Sequence, residues 1–430
     1  MNGFSFEILD RDRESSARAG LIRTRRGDIP TPYLVPVATL ASVRALGSDD
    51  LASLGVTCAL ANTYHLHLKP GDELIRRLGG LHRFMGFSGP LFTDSGGFQA
   101  FSLGFGREHN IAKIGNIFPQ ELDPTPQKRG SPAIDGEGES RMDQGKEQEN
   151  ARRENLTRIT EKGISFKSPA DGSWHFLDGK KSMQIQSNLG SDIIMAFDEC
   201  TPYPCDEKYA TRSMHMTHRW LDRCIARHKE TEGLYGYEQI LAPIIQGSTY
   251  PHLRKISAEY IASRDMPINA IGGLSVGEPH ADMYEMTAVV TEILPKEKPR
   301  YLMGVGTPAN LLECIALGID MFDCVLPTRN ARHGLMYTSQ GIVHIRNEKW
   351  KHCFDPIDPD SAAATSREHT LAYLRHLTIS GEALGAMIAS LQNLSFYLSL
   401  VRQARQHILD GTFTAWKSSI LPIISNPKVI

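Results

Sequence analysis

The chain offers little that ties it to a membrane, a disulfide framework or a polyanion. No apolar run in its 430 residues reads as long enough to span a bilayer. The first residues, Met-Asn-Gly-Phe-Ser-Phe-Glu-Ile, lack the basic-then-apolar pattern of a secretory leader. Cysteine is sparse: Cys58, Cys200, Cys205, Cys224, Cys314, Cys324 and Cys353. Seven is an odd number, and the spacings match no disulfide framework, so a reducing cytoplasm is the expected compartment. A large charge of either sign is also missing. The net value of −2 names no nucleic-acid partner by itself. One local surplus stands out. From Arg367 to the end, six Lys/Arg face three Asp/Glu, either a phosphate-facing surface or an ordinary solvated helix. What remains is a globular composition, 41% hydrophobic, which predicts a substantial core.

Eight apolar runs punctuate the chain, at 33–38, 58–65, 90–93, 192–197, 240–246, 270–274, 301–305 and 321–326. Several are almost uninterrupted, as parallel strands covered on both faces must be. Helical patterns lie between most of them. The clearest spans 206–228, free of Gly and Pro, with Met216, Trp220 and Cys224 at i+4 spacing. Eight strand–helix units in series predict an α/β fold, a (β/α)8 TIM barrel. Residues 1–32 read as an N-terminal β-hairpin cap with a turn at Arg25-Arg-Gly-Asp28, and 33–333 as the barrel. Residues 334–430 read as a hairpin and a helical subdomain, with helices at 366–377 and 381–409. Within the barrel, 107–155 carries eight Lys/Arg, ten Asp/Glu and one aromatic, Phe118, and reads as a loosely ordered polar insertion.

In such a barrel the C-terminal strand ends build the site, and here they are polar. Asp323 is a carboxylate inside the run Met321-Phe-Asp-Cys-Val-Leu326, with Arg329 and Arg332 close behind. Alone it reads equally well as a cap or a structural carboxylate. Its company changes that. Thr93-Asp-Ser-Gly-Gly-Phe-Gln99 brings Asp94, a glycine turn and the ring of Phe98. Ala196-Phe-Asp-Glu-Cys-Thr-Pro-Tyr-Pro204 brings Asp198 and Cys200, and Ile245-Gln-Gly247 the amide of Gln246. Gly272-Gly-Leu-Ser-Val-Gly-Glu278 exposes backbone N–H groups around Gly273 and Val276, and Tyr301-Leu-Met-Gly-Val-Gly-Thr-Pro308 adds the thioether of Met303. Donors and acceptors along one edge, with apolar faces above and below, suit a purine-like base held out of its stack.

Taken in order, these motifs resemble those of the bacterial-type tRNA-guanine transglycosylases, over residues 33–413 apart from the insertion. The resemblance implies exchange of guanine for a 7-deazaguanine base at the wobble position of tRNAs with a GUN anticodon, in queuosine formation. It implies that Asp323 attacks the ribose anomeric carbon, with two displacements giving net retention. Asp94 is then the general acid/base. Asp198 accepts from the amine and ring N–H of the base. Gln246 and the Gly273 N–H donate to its carbonyl oxygen, and Phe98 and Met303 form the faces of the slot. Arg329 and Arg332 orient the anticodon loop. Cys200 and Val276 match the bacterial pattern, and Val276 points to the smaller aminomethyl base, prequeuine, rather than queuine. Tyr373 and His376 fall where the family builds a homodimer seam. No membrane partner is expected.

The chain departs from the family at its structural zinc. The resemblance places the ligands at Ser361, Ala363, Ser366 and Gln392, where thiolates and an imidazole are expected. No metal or other cofactor is therefore expected. Two further readings follow: a non-catalytic tRNA-binding subunit, which would be expected to lose the three carboxylates, and a barrel glycosidase acting on free nucleosides.

Overall fold

The computed structural model describes residues 3–101, 157–168, 171–231 and 233–429. It divides into a large unit, residues 1–98 with 178–430, and a small one, 99–177. The polar insertion read at 107–155 lies outside the described residues.

The large unit opens with an antiparallel sheet of β1 (Ser5–Arg11), β2 (Arg18–Thr24) and β3 (Gly27–Thr31). The expected hairpin is thus a three-stranded cap, with the turn falling between β2 and β3 as the Arg-Gly-Asp signal required. The parallel strands follow: β4 (Tyr33–Ala38), β5 (Ala59–Ala61) and β6 (Leu91–Thr93). In the small unit, β7 (Thr157–Thr160), β8 (Gly163–Lys167) and β9 (Trp174–Leu177) form a separate antiparallel sheet. The parallel series resumes with β10 (Ile193–Met195), β11 (Ile240–Ala242), β12 (Ile244–Ile245), β13 (Asn269–Ile271), β14 (Arg300–Leu302) and β15 (Met321–Cys324).

The order β11-β10-β6-β5-β4-β15-β14-β13-β12 runs from one half of the 240–245 run to the other. Pro243 divides that run, since proline has no N–H to give to a ladder. Ile240 pairs back to Ile193 on β10, and Ile244 pairs forward to Ala270 on β13. Eight strand segments therefore close into the expected (β/α)8 barrel. Every residue of β5, β6, β10, β11, β13 and β14 is buried, which accounts for their mostly apolar character. Six of the eight predicted runs overshoot at their C-terminal ends, those at 33–38 and 90–93 ending where the strands do. The 58–65 run stops being strand at Ala61 because Asn62 caps the helix Thr63–Leu68, accepting from the His65 N–H at 3.0 Å.

Below the barrel the N-terminal cap is fixed by a buried ion pair. Arg18 Nε donates to Asp320 Oδ1 at 2.8 Å, and Asp320 also accepts from the Arg300 N–H at 2.7 Å. On the outside, the helix Glu207–Thr231 buries Met216, Trp220 and Cys224 as the spacing predicted, and Trp220 packs 4.9 Å from Phe197, next to Asp198.

After β15 come the helix Leu326–His333 and the hairpin β16 (Leu335–Thr338) and β17 (Gly341–His344). The helix expected at 366–377 is two pieces, Ala364–Glu368 and Leu371–Ser380, because Thr370 stops the first and caps the second. Ala383–Leu409 follows as expected, then Phe413–Ile424, which the sequence reading did not contain. Ala383–Leu409 is long and apolar enough to cross a membrane by length and composition, contrary to the sequence expectation. Its most apolar window is 78% buried within the unit, and that burial accounts for its composition.

Candidate active site

Three carboxylates stand at the C-terminal ends of barrel strands, each held by hydrogen bonds from neighbouring groups. Asp323, on β15, accepts from the Tyr301 hydroxyl at 2.6 Å and from the Gly304 N–H at 3.0 Å. Burial pushes its acidity toward higher pH, and those two hydrogen bonds pull it back. The ordinary carboxylate value that would leave Asp323 ionised unaided is thus replaced by a balance in which Tyr301 and Gly304 favour the ionised form. Asp94, just beyond β6, is buried. It accepts from Asn62 Nδ2 and from the Thr63 N–H at 2.7 Å, so the tip after β5 steadies the tip after β6.

Asp198 lies just beyond β10. Ser95 Oγ donates to one oxygen at 2.9 Å and Gln246 Nε2 to the other at 2.7 Å. Burial nevertheless raises its pKa to about 6. It is mostly ionised at neutral pH, with lone pairs left to accept more. Gln246 therefore faces Asp198 with its nitrogen, and its Oε1 is buried without a partner among the described residues. Gly273, φ +65°, approaches so closely that a Cβ there would lie 2.1 Å from that Oε1. Only glycine fits. Glu278 closes the same loop by accepting from the Val276 N–H at 2.9 Å and from the Ser275 N–H. Cys200 is buried beside Asp198, and burial pushes its thiol well up, so it behaves as an apolar group.

The site thus brings together Asp198, Gln246, Gly273, Val276 and Cys200 on one edge. Asp94 and Asp323 both act electrostatically on the buried Tyr301. Phe98 and Met303 are half-buried, where plain core residues of this barrel are fully buried. Arg329 and Arg332 lie on the helix Leu326–His333, partly exposed, and neither has a carboxylate in ion-pair reach among the described residues. Arg332 feels Arg44 and Arg329, so three guanidiniums share this rim. Arg44, in the loop after β4, was not among the sequence candidates.

Three of the six cations counted from Arg367 onward have partners in the barrel or the cap. Arg402 donates to the carbonyls of Leu54 and Gly55, and Arg405 to those of Gly20 and Thr31. Lys417 pairs with Glu313. These cations pin the C-terminal helices to the barrel and cap, and do not form an open stripe.

The four positions where the resemblance puts zinc ligands are buried together with a hydrogen-bond network. Ser361 Oγ lies 3.0 Å from Ser395 Oγ. Gln392 Nε2 donates to the Tyr337 carbonyl and to Asp358 Oδ2, both at 2.8 Å, and Asp358 also accepts from Ser339 Oγ at 2.6 Å. Ala363 has no donor atom at all. Two hydroxyls, a methyl and an amide already committed to a carboxylate do not fit a tetrahedral zinc. The apolar cluster of Met336, Trp350, Ile357, Leu371, Leu374 and Ile388 packs beside this network.

Sequence reasoning placed Asn62 at a strand tip of the site but missed Tyr301, Ser95 and Arg254 as site builders. Tyr301 carried a signal, a hydroxyl inside an apolar strand. Arg254, on a helix between two barrel strands, carried none.

The family profile described as queuine tRNA-ribosyltransferase matches residues 12–125 and 136–424. Among similar proteins, a queuine tRNA-ribosyltransferase of Symbiobacterium thermophilum is 42% identical over 97% of this chain and 90% of its own length. One from Pelotomaculum thermopropionicum is 41% identical over 97% and 98%. A putative queuine tRNA-ribosyltransferase of Archaeoglobus fulgidus is 42% identical over 92% and 94%.

Proposed function

The chain belongs to the queuine tRNA-ribosyltransferase family, and from that premise we propose its reaction: exchange of the wobble guanine of GUN-anticodon tRNAs for a 7-deazaguanine base. The observation that carries the reading is the pairing of two settings at one barrel mouth. One carboxylate, Asp323, is oriented by a phenol and an N–H, and another, Asp198, is ionised within a buried recognition edge.

Asp323 attacks C1′ of the ribose, a Cβ–Cγ–O–C1′ ester link forms, and the bond from C1′ to guanine N9 breaks. Asp94 delivers the proton that the leaving base needs. Guanine departs, the incoming base surrenders its N9 proton to Asp94, and N9 displaces Asp323 from C1′. Charge and protons balance over the cycle, and two inversions leave the configuration retained. During both steps Asp198 accepts from the amine and ring N–H of the base. The Gly273 N–H and the second N–H of Gln246 donate to its carbonyl oxygen, and Phe98 and Met303 cover its faces. Val276 and Cys200 together favour the compact aminomethyl base over queuine. Arg329 and Arg332 meet the anticodon loop.

No resident metal takes part in this proposal, since the residues at the family's zinc positions form their own polar network. The homodimer remains part of it. Tyr373 and His376 are exposed on the outer face of Leu371–Ser380, with Ile379, Leu384 and Met387 exposed nearby, which supports a seam rather than internal packing. Sedimentation of the wild type and Tyr373→Asp tests it: an unshifted monomer in both removes the dimer.

The purified protein alone should incorporate labelled guanine into a GUN-anticodon tRNA, with prequeuine the stronger competitor over queuine. Intact tRNA binding without exchange would favour the accessory-subunit reading instead. Exchange on free nucleosides with no tRNA requirement would favour the glycosidase.

A further inference from the structure

Arg254 lies on the helix Pro251–Ala262 and is fully buried, yet it ion-pairs with no carboxylate among the described residues. Its guanidinium is spent on backbone carbonyls. Nε donates to Ser248 O at 2.7 Å, Nη1 to Ile245 O at 3.2 Å and Gly272 O at 2.7 Å, and Nη2 to Gly273 O at 2.9 Å. Burial lowers its pKa to about 10, which leaves it charged at neutral pH, and Glu278 offsets part of that burial at a distance. A buried cation facing carbonyls alone is costly, and a neutral side chain would serve packing better.

The identity of one carbonyl shows what the cation does. Gly272 C=O and Gly273 N–H are the two ends of a single peptide unit. In a trans peptide they point in opposite directions. With Nη1 fixed on the oxygen, the unit cannot rotate, and its N–H is aimed away from Arg254. The bond also polarises the peptide, so that N–H is a stronger donor. The neighbouring carbonyls are held in the same way, and Ser257 of the same helix accepts from the Gln246 N–H at 3.2 Å.

We propose that Arg254 is a positioning residue for base recognition, relaying its positive charge through the Gly272–Gly273 peptide to the carbonyl oxygen of the bound and departing guanine. The inference rests on the reading of the Gly273 N–H as a donor to that oxygen. As the glycosidic bond breaks, negative charge spreads from N9 toward the base carbonyl, and a fixed donor with a cation behind it stabilises that charge.

The test compares guanine with 6-thioguanine, which keeps the amine and the ring N–H but puts a weakly accepting sulfur in place of the carbonyl oxygen, as inhibitors of labelled-guanine exchange by the full-length protein. The wild type should prefer guanine. In Arg254→Gln that preference should fall about tenfold, the size expected when a charge-assisted hydrogen bond is weakened, while the affinity for tRNA is retained. Arg254→Lys, which keeps the charge but not the fork, should fall on the same side. A wild type without the preference would sink the Gly273 reading itself. A wild type that has it, with variants that keep it undiminished, would overturn the role of Arg254 alone. Loss of folding in both variants would overturn it too, by making the guanidinium a structural requirement.

Discussion

Replacing Asp198 with asparagine should make the free protein more stable while removing its ability to hold a base. The folded pKa of Asp198 is about 6 against an ordinary 3.8, and burial is the largest cause. A raised folded pKa means that the native state keeps a proton which the unfolded chain has released. The contribution of Asp198 to stability is therefore fully present below pH 3.8 and is lost as pH rises through 6. The gap of about two pH units, at 1.36 kcal/mol each, corresponds to about 3 kcal/mol of destabilisation at pH 7 and above. Asparagine removes the charge and can keep both contacts. Ser95 still donates to its oxygen, and Gln246 can rotate its amide so that Oε1, now without a partner, accepts from the new nitrogen. Urea unfolding at steps from pH 4 to pH 8 measures the difference between variant and wild type. It should be near zero at pH 4 and rise to about 3 kcal/mol in favour of the variant by pH 7.5. A flat difference across this range, or a variant less stable at pH 7.5, would refute the reasoning. The same variant presents a donor where the base presents donors, so guanine binding should fall well below detection while tRNA binding stays near wild type.

The remaining expectations concern the other parts of the site. Tyr301→Phe deletes a donor that favours ionised Asp323, so the acidic limb of the exchange pH profile should move to higher pH, with a lower plateau; an unmoved limb would separate Tyr301 from the nucleophile. Gly273→Ala puts a Cβ into Gln246 Oε1 at φ +65°, and should cost at least tenfold in KM for guanine with little change for tRNA, which steady-state kinetics with each substrate varied will show. Purified protein should hold no stoichiometric zinc by elemental analysis, and a chelator should leave its melting temperature unchanged. Gln392→Leu should in turn lower stability by about 2–4 kcal/mol in urea unfolding, because Asp358 and the Tyr337 carbonyl lose a buried donor; one zinc per chain would contradict the whole account of this subdomain.

The barrel was legible because burial on both faces leaves so plain a mark. A run such as Ile193–Met195 has no polar residue to explain away, and the strands paired to it on either side are as fully buried. The strand ends were less so, since a capping residue such as Asn62 ends a strand through a local hydrogen bond that hydrophobicity does not register. Asp94, Asp198 and Asp323 stood out as charges in apolar settings, and the motif resemblance gave them roles. Their supports did not stand out. Ser95 reaches Asp198 across 103 residues of sequence, and Arg254 reaches the carbonyls of Gly272 and Gly273 across 18 and 19, and no periodicity encodes such contacts. The C-terminal arginines misled for a related reason: composition counts charges but not the carbonyls they meet inside the fold.

The central claim is that Asp323 carries the ribose through a covalent link. Mixing the protein with end-labelled anticodon stem-loop RNA, quenching in denaturant and separating on a denaturing gel measures that link directly. The wild type should show a band in which protein and RNA migrate together, discharged by added guanine. Asp323→Ala should show none while still binding the RNA before denaturation. A covalent band that survives in Asp323→Ala and disappears in Asp94→Ala would contradict the account and move the nucleophile to Asp94.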